Sequence, residues 1–303
     1  MGDGEVTTST RRNGDLGVLM FAVFSGATAG PIMAITAAPS LAIAFWRNAF
    51  AAIVLLPMLV RHRRVLAGLE PRQWRALLGA GVLLGVHFSC WVPSVRLTTV
   101  AAAQALVSTQ VVWAAVLEHV SGRRAPRMQF VGILVTLLGV VWLTGVDFAL
   151  SPENLAGDGL ALVAAMIAAS YLHVGRGARP ALPLSAYTAV LYSAASVTIL
   201  VICLVRGIAL TGYPFHAWLL IAAVTMFANF GGHTLYNRAL RSFSVTAVSN
   251  FNLLQIPVGA ILAWILLAQT PRLTLLPAGV LLAAGVIIVV LHERPRVLES
   301  LPE

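Results

Sequence analysis

The chain has 303 residues, of which 59% are hydrophobic and only 10% charged, and its mean hydropathy is +0.88. Because soluble domains carry about 25% charged residues, this composition excludes a soluble fold and indicates an all-α integral membrane protein. The net charge is +9 and every basic residue other than His is Arg, placed in short segments between apolar runs rather than in one patch. This distribution argues against nucleic acid as a partner and for the lipid bilayer.

Ten apolar runs reach the length of a membrane-spanning helix, which is about 20 residues. We expect residues 1–13 to form a disordered cytoplasmic N-terminus and 293–303 a cytoplasmic tail. A cleaved leader ending near Ala37-Ala38 is an alternative for the first run, but that run is longer than the apolar core of a typical signal peptide. The predicted spans are 16–38, 40–60, 73–95, 98–120, 127–146, 157–175, 184–205, 215–237, 243–268 and 273–291.

The arginines predict the orientation of these spans. If the N-terminus is inside, sixteen Arg fall in inside loops and three in outside loops, while Arg47 lies within a span. Because short cytoplasmic loops are enriched in Arg and Lys, we expect both termini in the cytoplasm. The predicted location is the inner or plasma membrane.

The two halves of the chain, 14–146 and 157–292, resemble each other. Each half has five spans, and an odd number places the second half upside down relative to the first. Inverted repeats are typical of alternating-access transporters, whose substrate site lies near the midplane between the repeats. A duplicated membrane scaffold without transport is the alternative. The matched segments are Gly14-Asp15 with Gly157-Asp158, 94–99 with 239–244, and Gly132 and Gly139 with Gly279 and Gly285.

This pattern resembles the EamA-like branch of the drug/metabolite transporter superfamily over residues 14–292. Relatives usually carry a Gly-Glu pair after the fourth helix of each repeat, where this chain has Gly122-Arg123 and Ala268-Gln269. The resemblance implies two inverted five-helix repeats around a central cavity. It also implies export of small metabolites, often amino acids, through a cavity lined by the first, third and fourth helices of each repeat.

Three ionisable residues in predicted spans are candidates for substrate binding or coupling. Arg47 is the only basic residue well inside a span, and intramembrane ionisable residues are functional hypotheses by default. It could pair a substrate carboxylate, or bond carbonyls at a helix end. His87 and His233 lie near mid-span and could carry a coupling proton; the alternative is a neutral His bonded to a neighbouring helix.

Other polar and aromatic residues extend this candidate site. Glu118, an acidic residue within a span, could form a salt bridge with a cytoplasmic Arg or act as a gate. The aromatics in candidate lining helices are Trp91, Trp113, Tyr171, Tyr236 and Trp264, of which we expect Trp91, Trp113 and Tyr236 to line the cavity. Amides that could bind a zwitterion, or join helices, are Gln104, Gln110, Asn250, Asn252 and Gln255.

Interrupted helices also point to a binding site, because freed backbone groups can bind ligand. We expect breaks at Gly30-Pro31 and at Gln255-Ile256-Pro257. No motif for an enzyme, a nucleotide, a metal or a cofactor is found. The sequence therefore predicts a secondary transporter that exports a small polar metabolite, with protons as one option for coupling, acting as a monomer or homodimer. Export of drug-like or lipid-like amphiphiles on the same fold is the alternative.

Overall fold

A computed structural model describes residues 3–98, 100–122, 126–144, 152–240, 242–267 and 275–292. The secondary structure of these residues is helical, which confirms the predicted all-α class. The predicted tail 293–303 lies outside the described residues, and the first helix begins at Asp3, within the predicted N-terminal segment.

Fifteen α-helices, one 3-10 turn (Arg179–Ala181) and one π-helical segment (Thr225–Thr234) make up the described chain. The helices are α1 Asp3–Ala27, α2 Ala29–Ile35, α3 Ser40–Arg61, α4 Arg63–Ala67, α5 Pro71–Leu97, α6 Val100–Ser108, α7 Gln110–Val120, α8 Arg127–Thr144, α9 Pro152–Gly175, α10 Leu184–Val205, α11 Phe215–Val224, α12 Leu235–Ala239, α13 Val245–Asn252, α14 Gln255–Leu267 and α15 Leu275–Leu291.

Six helical stretches of the described chain are long and apolar enough to cross a membrane. Shorter apolar helices cover Leu106–Val120 and Arg127–Gly139. Large apolar side chains such as Phe21, Val54 and Leu204 are exposed on the outer faces of these helices, as lipid contact requires. The six stretches are Gly14–Ile35, Ser40–Arg61, Pro71–Leu97, Leu155–Gly175, Leu184–Val205 and Phe215–Ala239.

Several of the predicted spans are interrupted. The first breaks at Thr28, between α1 and α2, and the ninth breaks at Leu253, between α13 and α14. Each break lies three or four residues before a proline, Pro31 or Pro257. A proline lacks the N–H and its ring clashes with the carbonyl of residue i−4, so the helix opens before the proline rather than at it, slightly earlier than the sequence predicts.

The fourth predicted span breaks at Thr109, where there is no proline. There the Ser108 hydroxyl donates to the carbonyl of Gln104 at 2.6 Å, and the Thr109 hydroxyl to that of Leu106 at 2.7 Å. Hydroxyls that bond carbonyls of the preceding turn compete with the helix ladder and often bend helices. This break therefore has a polar cause.

The helices pack around one another in a connected bundle. α5 lies along α9 and α10, α3 packs on α10, and α1 packs on the π-helical segment and α14. α8 and α15 cross at two glycines: a Cβ on Gly132 would lie 2.8 Å from the carbonyl oxygen of Gly285. The close backbone approach explains why glycine occurs at both positions.

Candidate functional site

A small polar cavity lies inside the bundle, where the interrupted helices meet. Its free volume is about 50 Å³, which holds on the order of four water molecules. Except for Arg47 of α3, its walls come from the first, third and fourth predicted spans of each half. The lining residues are Gly26, Ala29, Arg47, His87, Trp91, Gln104, Val107, Gln110, Ala168, Tyr171, Leu172, Ala228, Gly232, His233, Tyr236, Val248, Asn252 and Gln255.

Arg47 is fully buried and held from several sides. Its Nε donates to Oδ1 of Asn229 at 2.7 Å, and its Nη1 lies 3.7 Å from the sulfur of Met33. The guanidinium carbon sits 4.4 Å from the centroid of the Phe88 ring, a cation–π geometry. Its Nη2 finds no hydrogen-bond partner among the residues that the structure describes. The guanidinium is therefore fixed, with Nη2 left unsatisfied among the described residues.

The two predicted histidines lie next to each other in the wall of the cavity. The ring centroids of His87 and His233 are 6.2 Å apart. A His87 nitrogen lies 3.0 Å from the carbonyl oxygen of Ala164, and a His233 nitrogen lies 3.1 Å from the Tyr171 hydroxyl. The Phe88 ring that supports Arg47 also contacts His233, with centroids 5.0 Å apart. Arg47 and both histidines thus belong to one cluster, contributed by α3, α5 and the π-helical segment.

An uncharged group of amides and a hydroxyl forms another part of the wall. Nε2 of Gln255 donates to the Tyr236 hydroxyl at 2.8 Å and also bonds Oδ1 of Asn252. A Cβ on Gly26 would lie 2.8 Å from Nε2 of Gln255, so a larger residue there would displace the Gln255 amide. Gln104 also lines the cavity. This part of the wall offers hydrogen bonds without charge.

The structure brings most of the predicted lining residues together, and one lies elsewhere. Arg47, His87, Trp91, Gln104, Gln110, His233, Tyr236, Asn252 and Gln255 line the cavity, whereas Trp113 does not. Trp113 is half-buried and packs against the apolar core. Trp264, also an aromatic candidate, is 49% exposed on the outer face.

Two supporting residues, Tyr171 and Asn229, were not among the lining residues predicted from the sequence. Tyr171 lines the cavity and contacts His233. Asn229 holds Arg47, and its own amide lies 3.3 Å from Oδ1 of Asn48. A polar residue such as Asn229 in an apolar run indicates burial. Its partner Arg47 is 182 residues away in the sequence, so the local sequence pattern could not predict their contact.

Glu118 ties three helical segments together at the end of the bundle predicted to face the cytoplasm. It accepts hydrogen bonds from Nη1 of Arg176 at 3.1 Å, from the amide of Val245 at 3.2 Å and from the Thr246 hydroxyl at 2.6 Å. The Arg176 contact is an ion pair, one of the two roles expected from the sequence. Glu118 does not line the cavity; it holds α7 and α13 together beyond it.

Other polar contacts close both ends of the bundle. At the Glu118 end, Asp15 of α1 bonds the Ser242 hydroxyl and lies 3.7 Å from Nε of Arg238. At the opposite end, Nη2 of Arg96 donates to the carbonyl of Thr36 at 2.6 Å. Polar contacts between helical segments therefore occur at both ends of the bundle.

An apolar groove of about 570 Å³ lies on the outer side of α1 and the π-helical segment. Its wall includes Ser25 and Gly231, while Gly26 and Gly232, one residue further on, line the central cavity. A Cβ on Gly232 would lie only 3.3 Å from Cα of Gly26. The groove and the cavity are thus separated by a wall of small residues.

The arrangement offers hydrogen bonds and one fixed positive charge. Among the described residues, no group of three or more His, Cys, Asp or Glu is placed to hold a metal ion. The contents of the site are a guanidinium, two imidazoles, amides and aromatic rings inside a bundle of apolar helices. Buried polar residues of this kind mark substrate or ion pathways in membrane proteins.

The apolar helices of membrane-spanning length define the class as a polytopic membrane protein. The EamA-like transporter family matches the sequence over residues 13–145 and again over 155–291. The chain belongs to the EamA-like transporter family, which confirms the resemblance to the drug/metabolite transporter superfamily.

Comparison with solved structures is consistent with this assignment. Twenty-nine chains match. One of them, described only as a crystal structure of a protein, superposes with a TM-score of 0.75 at 16% identity, covering 93% of this chain and 99% of that one. At this identity the likeness concerns the fold alone. No curated protein matches the chain.

Proposed function

We propose that the protein is a secondary transporter that exports a small polar metabolite, such as an amino acid or a related compound, by alternating access. The observation that carries the proposal is a polar cavity, built around the fully buried Arg47, inside a bundle of membrane-spanning length. A polar group in the membrane interior is costly, and a packed scaffold would avoid this cost with apolar side chains.

The proposed topology has ten crossings in two inverted repeats, 14–146 and 157–292, with both termini in the cytoplasm. The pattern of helix contacts supports it. The fifth span of each half packs on its counterpart, as α8 on α15, and so does the second, as α3 on α10. The contact of α5 with α9 has its equivalent in that of the π-helical segment with α1. Such pairing is what a two-fold axis in the membrane plane produces.

In the proposed cycle, cargo binds between the repeats and the two ends open in turn. The cavity volume, room for on the order of four waters, supports a contracted state between two open ones. The Glu118 contacts act as the cytoplasmic gate, since they join α7 of the first half to α13 of the second. His233 is the candidate for proton coupling, because it lies next to both His87 and the Phe88 ring that supports Arg47.

The test is efflux from proteoliposomes over a panel of amino acids and other metabolites, with and without a pH gradient. We expect Arg47→Ala and His233→Ala to lower transport of the active compounds while the protein still folds. The matched controls are Arg206→Ala and His216→Ala, because both residues are exposed, Arg206 directly after α10 and His216 at the start of α11. Wild-type rates in both cavity variants would contradict the proposed site.

Export of amphiphiles is a second candidate, supported by the apolar groove between α1 and the π-helical segment. Cargo from the lipid would have to pass the wall formed by Gly26 and Gly232. A fluorescent amphiphile tested in the same proteoliposomes separates the two candidates. Efflux of the dye that persists in Arg47→Ala, without competition from any polar compound, would favour this second function.

A further inference from the structure

The charge balance of the cavity indicates which metabolites it accepts, an inference that rests on the proposed transport function. Arg47 is 0% exposed and carries a guanidinium, which stays protonated in proteins. A buried charge without a counter-charge is strongly destabilising, whereas a paired one is tolerated. The residue must therefore be balanced by a group of the protein or by the cargo.

The residues that the structure describes supply no counter-charge at this site. The carboxylate of Glu118 is engaged by Arg176, Val245 and Thr246. Within the described part of the chain, no Asp or Glu lines the cavity. The partner of Arg47 is instead the neutral amide of Asn229.

The unsatisfied atoms around the cavity are hydrogen-bond donors. Nη2 of Arg47 and Nε1 of Trp91 are both buried, and neither has an acceptor among the described residues. Both side chains line the same cavity. Phe88 covers a face of the guanidinium, Asn229 accepts from Nε, and the Met33 sulfur lies 3.7 Å from Nη1, so Nη2 is the donor that remains for a ligand. A carboxylate can accept charge-assisted hydrogen bonds from such a donor.

The remaining wall favours an uncharged polar group on the rest of the cargo. The Tyr236 hydroxyl, the amides of Asn252 and Gln255, and those of Gln104 and Gln110 can all bond a hydroxyl, carbonyl or amide. A cationic ammonium would enter a cavity that already holds a buried positive charge and, among the described lining residues, no carboxylate to receive it.

We propose that the cargo is a carboxylate anion with uncharged polar substituents, such as a hydroxy acid, and that its carboxylate is the missing counter-ion of Arg47. Trp91 donates the second hydrogen bond through Nε1, and the amide wall bonds the substituent. The site therefore selects against neutral amides and against zwitterionic amino acids of the same size.

The test uses triplets of compounds that differ only in charge: lactate, lactamide and alanine, and then 3-phenyllactate, its primary amide and phenylalanine. Binding is measured as the thermal shift of the purified full chain, and transport as counterflow in proteoliposomes. We expect each hydroxy acid to bind at least about ten-fold more tightly than its amide or amino acid, since a hydrogen bond to a charged group contributes about ten-fold or more in affinity.

Two variants test the assigned donors. Arg47→Gln should abolish the discrimination between acid and amide. Trp91→Phe, which removes only the indole N–H and part of the ring, should weaken binding of the hydroxy acid by about ten-fold with little effect on the amide. If Arg47→Gln does not fold, the wild-type ratios and Trp91→Phe decide.

The outcomes separate this inference from the transport function. Binding and counterflow of alanine or lactamide at least as strong as those of lactate, repeated in the phenyl series, would overturn the anion preference and leave the transport function standing. An acid preference that survives Arg47→Gln would also overturn it. Absence of binding and counterflow in both triplets, together with no efflux in the wider metabolite panel, would overturn both.

Discussion

Replacing Glu118 by Gln should loosen the closed end of the cavity. The substitution keeps the shape of the side chain but removes the charge that pairs with Arg176 at 3.1 Å. Both side chains are largely shielded, at 7% and 15% exposure, so solvent screens their interaction only weakly. We expect a loss of about 2 kcal/mol, within the range for a hydrogen bond to a charged group.

This loss acts on the balance between conformations. The Glu118 carboxylate joins Arg176, which follows α9, to Val245 and Thr246 of α13. If this set of contacts forms only with this end closed, the closed conformation should lose about 2 kcal/mol relative to the open one. Because about 1.4 kcal/mol corresponds to a factor of ten, the open population should rise by about 30-fold.

The change in the open population can be measured with a cysteine placed on α13, one turn from the Glu118 contacts. Ser249 lies on α13, one turn beyond Thr246, and is fully buried. In a background where Cys90 and Cys203 are replaced by Ala, the labelling rate of Ser249→Cys by a membrane-impermeant maleimide is measured in inside-out vesicles. We expect the rate to rise by about the same factor of 30 when Glu118→Gln is added, since the rate follows the open population.

The control is Glu153→Gln, a change of the same chemistry at an exposed residue at the start of α9. It should leave the labelling rate unchanged. If Glu118→Gln folds and labels at the wild-type rate, the Glu118 contacts do not gate the cavity.

Three further predictions concern the frame and the support of Arg47. In Gly132→Ala, the new Cβ would lie 2.7 Å from Cγ2 of Val289. We expect the free energy of unfolding, measured by thermal unfolding, to fall by about 1–3 kcal/mol. Gly159→Ala is the control, because no atom lies within 4 Å of its Cβ, and its free energy of unfolding should not fall in this way. Arg179→Met removes hydrogen bonds to the carbonyls of Asn237 and Leu182 and should cost about 2–3 kcal/mol, whereas Arg238→Met, which breaks only a half-exposed ion pair, should cost under about 1 kcal/mol. Asn229→Asp places a carboxylate beside Nε of Arg47 and should lower carboxylate binding by about ten-fold or more without unfolding the protein; unchanged binding in this variant, measured by thermal shift, would contradict the role of Arg47 as the anion site.

The sequence predicted the cavity residues better than their arrangement. Arg47, His87 and His233 stood out because polar groups in apolar runs are costly and so have a reason to be there. An aromatic residue such as Trp113 carries no such signal, since it suits the apolar core as well as a cavity. Neither the pairing of Arg47 with Asn229 nor the place of Tyr171 follows from local pattern, because both depend on how distant helices meet.

The helix breaks, too, were predictable from the sequence only in part. Two of the breaks were predicted from Pro31 and Pro257, because proline lacks the backbone N–H whatever its surroundings in the fold. The break at Thr109 depends on hydroxyls that bond the preceding turn, a choice that Ser and Thr make in some helices and not in others. The π-helical segment had no signal in the sequence that we could recognise.

The π-helical segment, Thr225–Thr234, contains Asn229 at its middle and the cavity residue His233 near its end. Asn229 accepts the hydrogen bond from Arg47. The backbone hydrogen bonds of the segment close over one residue more than those of an α-helix. Because one residue of an α-helix corresponds to a rotation of about 100°, a π-helical segment that gains or loses one residue rotates the helix that follows it by that angle. Conversion of the part that follows Asn229 to an α-helix would therefore rotate Tyr236 away from the cavity, while Asn229 kept its hydrogen bond to Arg47. One helix could in this way release cargo and still hold the arginine that bound it.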